Sequence, residues 1–352
     1  TNGHAVYSRI VSASRRPGRV AAAIAVPMLF LAGCHPETDD SASSETEVSG
    51  LDFAVDAPGP FGVGFRTWEV TYTPAGLAPR TIVVSAWYPT TDTHGPQALD
   101  TIGFILSDVY ANATLAPLAY PDGYPVVVHS HGYQGWAANS FDLARYFATH
   151  GWVFIAPDHT GNTLFDSVEP LPLEHYADRP LDIRATLDSI DADPALGGLA
   201  RTETALLSGH SFGAYTTWAV GGSTYDTASI AALCASGSVA NGDCPAAALA
   251  LFETDLSDPR VVATLPMAGA IRAEWFGTEG YRTKRGPTFF MSGTNDDVGQ
   301  QEQWDAMPDA NLTWIEIEGG CHQTFGLGTC DTLDPETGWQ IVNTYGLAHA
   351  RA

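Results

Sequence analysis

From residue 61 onward, short apolar runs alternate with stretches whose apolar positions recur at helical spacing. The runs at residues 66–73, 81–88, 124–130, 152–156, 205–208, 261–266, 288–292 and 312–317 read as strands. The first two form a leading antiparallel pair. The others are separated by helical stretches, which include residues 140–149, 180–192, 212–220 and 336–350. Runs such as "YPVVVHS" are apolar throughout, as strands buried on both faces are. The pattern predicts the α/β class, with a mainly parallel eight-stranded sheet covered by helices on both faces. One domain, residues 59–352, accounts for it, and the chain contains no internal repeat.

The pattern differs before residue 59. Arg9, Arg15, Arg16 and Arg19 precede the apolar run "VAAAIAVPMLFLA" at residues 20–32. Thirteen residues cannot cross a hydrocarbon core of roughly 30 Å, so residues 1–33 read as a signal peptide. The run ends in "LAGC", which resembles the bacterial lipobox and implies cleavage before Cys34 with lipid attached to its sulfur. The implied location is the bacterial cell envelope, as a lipid-anchored protein or one released outside. His35 after the lipidated cysteine favours the outer membrane. Residues 34–58 are acidic and serine-rich and read as a flexible tether.

Charge narrows the partners. The chain has 40 acidic and 16 basic residues, a net −24, with Lys284 its only lysine. Removing residues 1–33 takes away four arginines and no acid, so 12 − 40 gives −28. Such a surface repels phosphate backbones, which excludes nucleic acid as a partner. Membrane contact is expected only through the lipid on Cys34, and the protein is expected to be a monomer. With Cys34 lipidated, four cysteines remain as two close pairs, Cys234 with Cys244 and Cys321 with Cys330. Each pair closes a short loop that suits an exported protein.

The candidate chemistry centres on "LLSGHSFGAY", residues 206–215. "GHSFG" fits G-x-S-x-G, lies after a predicted strand and precedes a predicted helix, as a nucleophile elbow does, and so marks Ser211. A serine nucleophile needs a base, and the base needs a group that holds its tautomer. "TFFMSGTNDD" supplies Asp296 or Asp297 after one strand, and "EGGCHQTF" supplies His322 after the next. The expected triad is Ser211, His322 and an acid from the Asp296–Asp297 pair, with Glu274 as a lesser candidate. "VVVHSHGYQG" brings a glycine-containing loop after the first parallel strand. The amides of Tyr133 and Phe212 are therefore the expected oxyanion donors. His129, His131 and His159 lack the continuation of a metallohydrolase motif, so neither a metal nor another cofactor is expected.

Four segments carry a family resemblance: "GPFGVGFRTWEV", "VVVHSHGYQGWAANSFDLARYFATHGWVFIAPDHTGNT", "RPLDIRATLDSI" and "GHSFGAYTT". Together they resemble the platelet-activating-factor acetylhydrolase and dienelactone-hydrolase-like group of α/β-hydrolases. The resemblance implies the α/β-hydrolase fold and a serine esterase using Ser211 and His322. The acid departs from the animal acetylhydrolases, since Leu265 and Pro266 occupy the place of their aspartate pattern. Asn295–Asp296 is instead similar to the pattern of bacterial cutinases and polyester hydrolases, which favours Asp296. Dienelactone hydrolases use a cysteine nucleophile where this chain has serine. "HGYQG" also resembles the polyester hydrolases, which implies an aromatic platform at Tyr133, with Trp136 and Trp275 as possible additions.

The resulting expectation is a carboxylic ester hydrolase acting through an acyl-enzyme on short-chain or aromatic esters. Polyester hydrolysis is the alternative substrate class. A non-catalytic surface lipoprotein keeping the fold is the alternative of another kind.

Overall fold

The computed structural model describes residues 13–15, 49–74, 77–269 and 272–352. Cys34 and the apolar run before it lie outside these residues. One sheet organises the chain, built from eleven strands. They are β1 (Ala13–Arg15), β2 (Gly62–Tyr72), β3 (Arg80–Thr90), β4 (Gln97–Leu99), β5 (Ile105–Ala111), β6 (Tyr124–Ser130), β7 (Val153–Asp158), β8 (Ala200–His210), β9 (Val261–Met267), β10 (Thr288–Gly293) and β11 (Leu312–Ile317). Their order across the sheet is β1-β11-β10-β9-β8-β6-β7-β3-β2-β5-β4.

The strands from β6 to β11 run parallel, and β3 turns the sheet antiparallel at β7. All eight strands expected from the sequence are present. The three additional ones, β1, β4 and β5, sit at the two edges and correct the expected count of eight. Edge strands need no continuous apolar run, which is why the hydrophobic pattern passes over them. β1 pairs antiparallel with β11 at the sheet's margin, so every other strand keeps its partners without it.

Helices α1 (Phe141–Thr149) and α8 (Pro335–Arg351) cover one face, packing on each other and on Phe147, Phe154, Leu265 and Ile315. Helices α2 (Glu174–Asp191) and α3 (Phe212–Val220) cover the other, where Ile183, Leu187 and Ile190 meet Val126, Val128 and Leu207. Helix α2 begins six residues earlier than expected and contains Pro180. The missing Pro180 N–H would have bonded the Tyr176 carbonyl. The Tyr215 hydroxyl donates to that carbonyl instead, at 3.0 Å, so the helix passes through the proline. The excursion between α3 and β9 holds α4 (Thr227–Ala235) and α5 (Ala246–Leu251). The next holds α6 (Gly277–Tyr281), and α7 (Gln300–Asp305) lies between β10 and β11.

A second correction concerns the tether. Its last ten residues pack on the domain, which therefore begins by Ser49. Gly50 N–H bonds the Ala119 carbonyl at 2.7 Å, and the Ala54 carbonyl meets His150 Nε2 at 3.0 Å. Phe53 packs edge-on against Phe61. Phe53 and Val55 are isolated apolar residues in an acidic stretch, too sparse to read as an element.

The parallel order places β6 between β7 and β8, where the chain reverses its direction across the sheet. Loops leaving β6 and β8 therefore diverge and open a crevice at the carboxyl edge. The loops after β10 and β11 open on the same edge.

Candidate active site

Ser211 terminates β8 with φ 56° and ψ −116°, a strained conformation for a residue with a side chain. Helix α3 starts at the next residue, Phe212. The corner exists because its glycines have no side chain. A Cβ on Gly213 would lie 1.8 Å from the Ser130 carbonyl oxygen, and one on Gly209 would lie 2.2 Å from that of Gly213. Ser211 N–H donates to the Met267 carbonyl at 2.9 Å, anchoring the corner to β9. The Phe212 amide belongs to the first turn of α3, whose N–H groups lack intrahelical partners.

The expected acid and base follow neighbouring parallel strands. A Cβ on Gly293 would lie 2.2 Å from the Gly320 carbonyl oxygen, so the loops after β10 and β11 touch backbone to backbone. Asn295 N–H bonds Gly320 O at 2.9 Å. That contact brings His322 Nδ1 to 3.0 Å from both carboxylate oxygens of the buried Asp296. Asp297 is exposed and near only its own loop, where Gly299 N–H approaches its Oδ1 at 3.5 Å. Glu274 faces Arg272 at 3.6 Å. The geometry therefore assigns Asp296, of the three acids considered, as the partner of His322.

Both expected disulfides are present, with Cα separations of 6.1 Å for Cys234–Cys244 and 5.5 Å for Cys321–Cys330. The second ties down the residue before His322. Thr332, just past its end, links the loops: its hydroxyl accepts from Asn295 Nδ2 at 2.7 Å and donates to Gly319 O at 2.6 Å. His210 adds a tie that the sequence reading did not identify. Its Nε2–H donates to the His322 carbonyl at 2.9 Å, and the two rings lie 4.9 Å apart. Burial, with His322 nearby, pushes the His210 imidazole down to about 3, so it serves as a neutral donor. The residue between the first glycine and the serine of the elbow thus fastens the loop of His322 to the strand that ends at Ser211.

The loop after β6 faces the elbow. A Cβ on Gly132 would lie 3.3 Å from Ser211 Cβ, and the Tyr133 and Phe212 rings stand 6.5 Å apart. Both rings line a cavity of about 410 Å³ with Glu169, Leu171, Tyr176 and Arg272. The Tyr133 hydroxyl donates to the Glu169 carboxylate. Arg272 donates to the Tyr176 hydroxyl through Nε and Nη2, at 3.3 Å each. Trp136 lines a separate cavity of about 370 Å³ with Phe104, Ile105 and Leu327, its indole N–H bonded to Asp100 at 2.9 Å. Trp275 corrects the expected platform. It is fully buried, 4.5 Å from the Tyr176 ring, and backs the cavity wall without forming it. Larger clefts of about 580 and 690 Å³ lie between β2 and α2 and beside α1 and α8, away from Ser211.

Beneath the loop lies a buried polar cluster. His159 bridges Ser130 Oγ at 2.9 Å and Asp182 at 2.8 Å, and Asp182 also accepts from Arg80 and Tyr72. His129 bonds Ser208 Oγ at 2.8 Å. The histidines considered as metal ligands thus meet hydroxyls, carboxylate and backbone. Arg179 is the cation of the cluster nearest the loop, and neither it nor Tyr176, Arg272 and His210 was expected from the sequence. The one signal was "RPLDIR", whose Arg179 and Asp182 fall three apart on the buried face of α2.

These geometries can be set beside known proteins. A ferulic acid esterase from Streptomyces cinnamoneus superposes with a TM-score of 0.56 at 18% identity, over 84% of this chain and 92% of that one. The chain has the α/β-hydrolase fold. No protein-family model matches the chain, and no curated protein matches its sequence.

Proposed function

We propose that the protein is a serine carboxylic ester hydrolase acting through an acyl-enzyme on short-chain or aromatic esters. The observation that carries this reading is Ser211 held at φ 56° on a glycine-built corner, beside a loop pair that orients His322 with Asp296. In the proposed cycle Ser211 Oγ attacks the ester carbonyl carbon while His322 Nε2 takes the hydroxyl proton. Asp296 holds the Nδ1 proton and stabilises the imidazolium. The amides of Tyr133 and Phe212 bind the oxyanion, and collapse expels the alcohol, protonated by His322. Water then repeats the sequence on the acyl-enzyme, returning the acid and free serine.

An aromatic acyl group is favoured by the cavity walls, which carry the rings of Tyr133, Tyr176 and Phe212 with the polar tips of Glu169 and Arg272. The structural likeness to a protein described as a ferulic acid esterase supports the same class. Polyester hydrolysis is the second reading, favoured by exposed Phe104, Ile105, Leu164, Phe165 and Leu327. Ile105 and Leu327 line the second cavity with Trp136, and the Leu164 amide bonds the Gly135 carbonyl in the loop after β6. We further propose export and lipid anchoring through Cys34, which the two disulfides support by suiting an oxidising compartment.

An organophosphate ester tests the central reading. Stoichiometric labelling of Ser211, with parallel loss of p-nitrophenyl butyrate hydrolysis, is the expected result. A protein that stays unlabelled and inactive is a binding module with this fold.

A further inference from the structure

Arg179 is fully buried, yet among the described residues no carboxylate lies within ion-pair distance of it. Asp182, three residues on in the same helix, is occupied by Arg80, Tyr72 and His159. Every hydrogen-bond partner of the guanidinium is neutral. Nη1 donates to the His131 carbonyl at 2.6 Å and to Ser130 Oγ at 3.3 Å. Nη2 donates to the Gly132 carbonyl at 3.1 Å, and Nε donates to Asn162 Oδ1 at 3.1 Å. The guanidinium carbon also lies 4.1 Å from the centroid of the Phe212 ring. One cation therefore touches the loop that carries one candidate oxyanion donor and the residue that carries the other.

The Gly132 carbonyl receives more than this one bond. His131 Nδ1 lies 2.7 Å from it and Gly135 N–H 3.2 Å. His131 Nε2 accepts the His159 amide at 3.0 Å, which leaves the ring proton on Nδ1 and makes that atom a donor. In a trans peptide the C=O of one residue and the N–H of the next point in opposite directions. Three donors on Gly132 O thus fix the direction of the Tyr133 N–H, away from Arg179. A buried cation bonded only to neutral acceptors is costly to fold around, and an apolar side chain would fill the space more cheaply. Its position is informative because the carbonyls it binds belong to the loop that faces Ser211.

We propose that Arg179 is a positioning residue for the oxyanion hole. Its fork aims the Tyr133 amide at the reacting carbonyl, and its positive charge favours the negative oxygen that forms there. The proposal rests on the reading of Ser211 as an esterase nucleophile. Burial brings the guanidinium down to about 9, so it remains charged at neutral pH.

The test compares Arg179→Met, Arg179→Lys and Asn162→Ala on p-nitrophenyl butyrate and against an aryl trifluoromethyl ketone, whose serine adduct carries an oxyanion. Arg179→Met is expected to lower kcat by about 100-fold, the scale of losing one oxyanion donor, with KM changed less than about threefold. Ketone affinity should fall in parallel with kcat/KM. Arg179→Lys keeps the charge and loses the fork, and should lose about tenfold; Asn162→Ala removes the acceptor that Nε and Nη2 share and should lose about threefold, both on the same scale. Should Arg179→Met not fold, the other two variants decide. Folded variants with parental kcat and ketone affinity, or with a raised KM alone, overturn the proposal. Organophosphate labelling of Ser211 in the parent separates this failure from failure of the esterase reading.

Discussion

The reacting edge of the site and the buried cluster beneath it are held together by different means. At the edge, Ser211, Asp296 and His322 are placed by backbone touching backbone, at Gly213 on Ser130 and at Gly293 on Gly320. Beneath it, Tyr72, Arg80, His159, Arg179 and Asp182 are placed by side chains bonded to side chains across β2, β3, α2 and the loop after β7. Backbone contact demands glycine, and glycine at a fixed spacing is visible in a sequence. Side-chain networks impose no spacing on the chain, because their members meet only after the sheet has formed. The edge holds the residues of the proposed chemistry, while the cluster below bonds the carbonyls of the loop that faces it.

The largest expected effect lies at the edge. Asp296→Asn should leave the fold intact and lower kcat by about 10⁴, since the amide favours the wrong His322 tautomer. Asp297→Asn, on the exposed side of the same loop, should change kcat less than about twofold, a surface substitution without a partner in the site. Steady-state kinetics on a short nitrophenyl ester read both. A large loss at Asp297 with little at Asp296 would move the acid by one residue and undo the geometric assignment.

This contrast also explains what was legible. The strands of the parallel core were readable because their apolar runs are uninterrupted, and the places of Ser211, Asp296 and His322 at one edge of the sheet because each follows such a run. β4 and β5 were missed because their buried positions are few and, in β5, Leu106 and Val109 stand three apart and break the period-2 alternation of a strand. The burial of Trp275 was not legible, because an aromatic at a loop base gives no sign of whether its ring faces in or out. The start of α2 was misplaced because the bond from Tyr215 to the Tyr176 carbonyl, which lets the helix carry Pro180, is a tertiary contact.

The buried histidines, three in or beside the cluster and His210 at the edge, should fail first in acid. Burial lowers His129 and His210 to about 3 and holds His131 and His159 well below the ordinary histidine range, so all four are neutral when folded. In the unfolded chain they take up protons near 6.5. Below that pH the unfolded state binds more protons, so stability falls as pH drops and is regained as pH rises through the unfolded value. Each group contributes up to about 1.4 kcal/mol per pH unit in that window. Denaturant midpoints measured from pH 7.5 to 5 should therefore decline by the equivalent of several kcal/mol. A flat profile would mean that the histidines are not neutral, or not buried, in the native state.

The disulfides sharpen the comparison at smaller scale, one at the edge and one remote. Each closes a loop of about ten residues and should contribute roughly 2.5–3 kcal/mol. Cys234→Ser should lower the thermal midpoint and leave kcat near the parent's. Cys321→Ser should lower both, because the bond braces the residue before His322 and the loop that Thr332 joins to Asn295. Equal effects on kcat would show that the brace does not reach the base.

The smallest expected effect concerns substrate length, and it separates the edge from the cavity it opens on. Among the described residues neither excursion supplies a long lid: α4 spans Thr227–Ala235, α5 Ala246–Leu251 and α6 Gly277–Tyr281. The cavity bounded by Tyr133, Tyr176, Phe212 and Arg272, at about 410 Å³, is at the small end of ligand sites, which run from roughly 300 to 1,000 Å³. A flat ring or a short acyl chain can bury itself there against three aromatic faces. A dodecanoyl chain would have to leave its distal methylenes in water, forfeiting about 0.8 kcal/mol for each CH₂ left unburied. Esters of C2–C6 acids and of aromatic acids should thus be cleaved about tenfold faster, in kcat/KM, than C12 or longer ones, since a difference of about 1.4 kcal/mol suffices. Tyr176→Ala should erode the aromatic preference more than the short-chain one, because it removes a ring wall and the hydroxyl that Arg272 holds. A preference for C12–C16 esters with activation at an interface would place the acyl chain along the exposed apolar residues Phe104, Ile105 and Leu327, and not in this cavity.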